Sequence, residues 1–80
     1  MGVLVGVNAF EPGQAHTLHA HAGMDKVYHV VAGEGQFLLE GQSLSMKAGD
    51  LLMAPDGVPH GVSNTGEGRL LVLVVLAPAP

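Results

Sequence analysis

The chain has 80 residues and no cysteine. Neither a disulfide framework nor a thiolate site is therefore open to it, and redox chemistry says nothing of its compartment. Basic charge is almost as scarce: Lys26, Lys47 and Arg69 face seven acidic residues, for a net charge of −4. No basic stripe exists to neutralise a phosphate backbone, so nucleic acid is not an expected partner. Charged residues of both signs make up 12 % of the chain, against about a quarter in ordinary soluble domains. The excess of apolar surface that this leaves points to a homodimer. Long apolar runs are absent too. The longest, Leu70 to Ala77, is far too short to span a bilayer and suits a buried strand. With no basic stretch leading into an apolar segment and a small-residue cleavage site, a cytoplasmic location and no membrane partner are expected.

Glycine is plentiful, with 12 residues spread along the chain beside five prolines, and 48 % of the sequence is hydrophobic. Such punctuation of short apolar segments is the mark of an all-β domain with many tight turns. Eighty residues make one domain, 1–80, whose core is marginal unless a metal or a second subunit adds stability. Strands are expected at Val3–Phe10 (covered on both sides), Gln14–Ala22, Lys26–Ala32, Gln36–Glu40, Ser43–Met46, Leu51–Ala54, Gly61–Asn64 and Arg69–Leu76. No helical periodicity of useful length interrupts them, and their spacing predicts a small antiparallel β-barrel or sandwich.

Four of the five histidines lie between His16 and His29, and the fifth is His60. His19 and His21 stand one residue apart, a spacing that places two imidazoles on one face of a strand but splays them on a helix. Strict alternation sends His16 to the opposite face, and His29 likewise points outward from its strand. Tyr28 falls on the inward side with Lys26 and Val30, as a pocket wall or a core tyrosine. Pro55, Gly57 and Pro59 make a rigid approach to His60, and by parity Asn64 shares its strand face, available for a hydrogen bond that orients a metal ligand or holds a turn.

These residues are spaced as in the cupin superfamily, which the chain resembles from Gly13 to Asn64. Gly49, Pro55, Gly57, His60 and Asn64 fill every position of the second cupin motif, and Gly13, His19, His21 and Gly33 fit the first. The acidic position of the first motif falls on Lys26, with Asp25 one residue before it. The resemblance implies a double-stranded β-helix, or jelly roll, with a metal inside the barrel. Three histidines, His19, His21 and His60, offer one face of a coordination shell with open positions for water or substrate. An inward Lys26 would repel a cation unless burial and the ion make it neutral, so the fourth position is left to water, to Lys26 itself or to Asp25, swung inward by a β-bulge next to Gly23. Imidazole and oxygen donors without sulfur suit a divalent Mn, Fe, Co, Ni or Zn ion. Lys26, Tyr28, Phe37, Met53 and Asn64 are expected around an unknown small-molecule ligand. Two functions fit: a metal-dependent enzyme of dioxygenase or isomerase type, or a non-catalytic module that binds or senses a metal and a small molecule.

Overall fold

A computed structural model describes residues 2–20 and 22–79, and these contain eight strands and no helix. In chain order they are β1 (Leu4–Phe10), β2 (Ala15–His19), β3 (Asp25–Ala32), β4 (Glu34–Leu39), β5 (Gln42–Lys47), β6 (Leu51–Ala54), β7 (His60–Ser63) and β8 (Leu70–Ala77). Two four-stranded antiparallel sheets result, ordered β1-β8-β3-β6 and β2-β7-β4-β5. Except for the β4–β5 hairpin, each strand crosses to the opposite sheet from the one before it, which is the jelly-roll path of a small barrel. No helix among the described residues is long and apolar enough to cross a membrane.

Period-two alternation drives this packing. Leu70, Val72 and Val74 of β8 are buried while Leu71, Leu73 and Val75 between them are half-buried, so the closing run is amphipathic by position although it is apolar throughout. Phe10, Tyr28, Val30, Phe37, Met46 and Val62 join the buried set from other strands. Burying each such large side chain contributes about 1.5–3 kcal/mol, the principal favourable term available to so short a chain. Tyr28 meets Phe37 edge to face, with ring centroids 5.4 Å apart.

Two expectations change. β1 is an edge strand rather than a covered one: it pairs with β8 alone, and of its residues only Asn8 and Phe10 are withdrawn from solvent. Met53, expected in the pocket, is 56 % exposed on the outer face of β6, and Ala54 takes the inward place. A shift of one residue in parity reverses every side chain of so short a strand. The outer face of the β1-β8-β3-β6 sheet then carries two cross-strand rows. One runs Val5, Val75, Val27, Met53 and the next runs Val7, Leu73, His29, Leu51.

Candidate functional site

The site is built where β2 and β7 pair. His60 and Val62 stand two positions apart, but their partners His19 and His16 stand three apart, with a bulge between them. A bulge adds one residue to one strand and resets its alternation. His16 therefore returns to the side of β2 that faces the barrel mouth, where its ring lies edge-on to Phe10 at 4.9 Å and 6.4 Å from the ring of His19. Strict alternation had sent it outward.

Gly61 makes the bulge possible. A Cβ there would stand 2.5 Å from the carbonyl oxygen of His16 and 3.0 Å from the carbonyl carbon of Thr17, both backbone atoms. A bare Cα lets the bulged strand close over β7 and seats His19 opposite His60. Their ring centroids are 4.5 Å apart.

Each ring is oriented by the carbonyl two residues before it. His19 Nδ1 bonds Thr17 O at 3.0 Å, and His60 Nδ1 bonds Val58 O at 2.9 Å. A carbonyl only accepts, so Nδ1 carries the proton in both rings, and the lone pair of the neutral imidazole sits on Nε2. The loop before β7 fixes the second of these carbonyls. Val58 N–H donates to Pro55 O at 3.0 Å, and Gly57 holds a φ of +77°, a left-handed conformation suited to glycine. His60 is 3 % exposed, its Nε2 is fully buried, and the rings of Tyr28 and Phe37 lie 5.8 and 6.4 Å from it.

Two ordered imidazoles with Nε2 lone pairs, in register across two strands, suit a divalent first-row metal. His21, the expected third ligand, lies outside the described residues. Among the described residues no three of His, Asp and Glu gather into a group that could hold an ion. Asp25 is exposed at the start of β3, with its Oδ1 accepting the Asp56 N–H at 2.8 Å, while Asp56 Oδ1 accepts the Gly23 N–H at 2.7 Å. The register with β8 runs unbroken through Asp25 and Lys26 and shifts only between Val30 and Ala32. Lys26 is half-buried on the side of β3 that carries Tyr28, with Nζ 5.4 Å from the centroid of that ring. Burial lowers its pKa below the ordinary lysine value and raises that of Tyr28 to about 12.

Asn64, expected in the pocket or in a turn hydrogen bond, serves the turn. It is 2 % exposed, donates through Nδ2 to Phe10 O (2.8 Å) and Gly68 O (2.9 Å), and accepts from Gly66 N–H through Oδ1 (2.9 Å). Its amide thus ties the end of β1 to the β7–β8 connection. Phe37 is buried in the core beside His60. The hollow next to the histidines is an open cleft of about 400 Å³ lined by Ala15, His16, Thr17, His19 and Lys26. Strict alternation misplaces His16, and the sequence reading does not single out Gly61. A glycine directly after His60, inside a strand, was the signal available for a close backbone approach.

A sequence profile for the cupin domain matches residues 6–76, and the chain belongs to the cupin family. It is 37 % identical over 65 residues to the oxalate-binding protein of Thermotoga maritima, covering 81 % of this chain and 54 % of that protein. It is 35 % identical over 63 residues to the pectin degradation protein KdgF of Dickeya dadantii, covering 79 % of this chain and 57 % of that one. The chain thus spans little more than half the length of either. Among solved structures, TT1209 from Thermus thermophilus superposes with a TM-score of 0.90 at 40 % identity, covering 98 % of this chain and 74 % of that one.

Proposed function

We propose that this chain is a metal-dependent binding module for a small molecule, with a divalent first-row ion on His19, His21 and His60. The cross-strand pair carries this reading: His19 and His60 sit in register, each held through Nδ1 by a backbone carbonyl. A bound ion of this kind polarises an oxygen of the ligand or activates water. Tyr28 and Phe37 give the pair an apolar wall, and the open side of the cleft admits the ligand. The donor set suits Mn, Fe, Co, Ni or Zn.

Binding is favoured over turnover because the cleft's lining among the described residues includes no carboxylate, and those of Asp25 and Asp56 are engaged by backbone N–H groups. A catalytic reading of the same site draws support from relatives named as a pectin degradation protein and, for an oxidoreductase of dioxygenase type, as a 5-nitrosalicylic acid 1,2-dioxygenase.

Elemental analysis and titration with zinc or cobalt test the proposal. One first-row metal per chain is expected, lost in His60→Ala with the β-sheet circular dichroism retained. A chain that takes up no such metal would refute it. Oxygen consumption or product formation by the metal-loaded chain, on a panel of small phenols, diketones and sugars, would favour the catalytic reading.

A further inference from the structure

We propose that the cleft is an anion site in which Lys26 anchors the carboxylate of a small organic acid, with His16 and His19 beside it. This deepens the binding reading but does not need the metal.

Of the three basic side chains, Lys47 faces Asp50 at 3.9 Å and Arg69 bonds Glu11, while Lys26 has no acidic partner among the described residues. Its neighbours across β8 and β6 on the same sheet face are Leu76 and Ala54, which offer no charge. The aromatic face of Tyr28 is the one favourable contact found for its ammonium among the described residues. Among the described residues, the cleft it lines presents imidazole, hydroxyl and ammonium groups from two strands of opposite sheets, and no acid. By contrast, the hollow of about 270 Å³ beside the β4–β5 hairpin carries both signs, with Glu34, Lys47 and Asp50 on its rim.

A half-buried ammonium is costly without a counter-ion, and a ligand carboxylate supplies one. A single lysine suits a singly charged group better than a phosphate dianion, which calls for arginine forks, backbone nests or helix N-termini. The described residues contain no helix. At about 400 Å³ the cleft is in the range of small-molecule sites, so the acid carries an organic body rather than being a bare ion.

The test is a titration of the chelator-treated protein with acetate, malonate, sulfate and acetamide, followed by backbone amide chemical shifts. A second arm repeats it with zinc added. Saturable shifts at residues 15–19 and 26 are expected with both carboxylates in both arms, and none with neutral acetamide. Lys26→Gln should weaken binding roughly tenfold or more, whereas Lys47→Gln on the opposite hairpin should not change it. Full-affinity binding by Lys26→Gln, or sulfate binding as tight as carboxylate, would overturn the proposal. Carboxylate binding confined to the zinc arm would also overturn it, by making the metal the anchor, and would leave the metal proposal standing. Carboxylate binding in a protein that takes up no zinc would do the reverse.

Discussion

Tyr28, the only tyrosine in the chain, reports on the wall of the site directly. Burial raises its pKa from 10.0 to about 12, because the phenolate would have to form among apolar neighbours. The folded chain therefore keeps this proton at a pH where the unfolded chain has released it. By linkage the phenol costs nothing below pH 10, and folding stability falls as pH rises from 10 toward 12. Tyrosinate absorbance of the native protein should rise near pH 12 and shift to about 10 in denaturant; a native midpoint at the ordinary value would mean that the ring is not enclosed. Lys26 departs from its ordinary value in the opposite direction for the same reason, since burial disfavours whichever form is charged.

At the level of strands, the site depends on how closely β2 lies on β7. Gly61→Ala would drive a methyl into the backbone of His16 and Thr17, at a cost of about 1–3 kcal/mol typical of overpacking. Bulged β2 should lift from His60, so the variant should lose metal affinity as well as stability. Val62→Ala, next along the same strand, should lower stability with much less effect on metal affinity. Thermal melts read with metal titrations check this, and a Gly61→Ala protein that binds metal like the wild type would break the link. The same strand shows where sequence reasoning reached and where it stopped. Spacing of glycines, prolines and histidines sufficed for the all-β cupin fold, because turns are made by residue types that can be read directly. The approach to His60 was legible for the same reason, in Pro55 and Gly57. His16 was misplaced because a bulge leaves no trace in alternation, and Met53 because a four-residue strand cannot fix its own parity. Asn64 sat at its motif position, but the three backbone groups it binds are brought together only by tertiary structure, from Phe10 to Gly68.

Over the whole molecule, an extended apolar surface is left open on the outer face of the β1-β8-β3-β6 sheet. Its two rows contain seven apolar residues and one histidine, with Val5, Val7, Leu51 and Met53 each more than half exposed. Four strands about 4.8 Å apart and about seven residues long at about 3.3 Å each give a face of roughly 400–450 Å². Two such faces together remove on the order of 1,000 Å² from water, about the threshold for a specific interface. A second copy is the occupant that this area and the lack of charge fit, and we propose the homodimer there. Sedimentation should find a dimer at micromolar concentration, converted to monomer by Val7→Lys with Leu51→Lys; a wild-type monomer would refute it. The place of β8 in that sheet has a consequence for synthesis. β1 and β3 do not pair with each other: β8 lies between them, and β3 pairs on its other side with β6. During translation β1 emerges first and waits, unpaired, through about sixty residues for the strand that completes its ladder. The β3–β6 pair can form earlier, but β1 has no ladder to join, and the sheet is incomplete, until Leu70–Ala77 has been made.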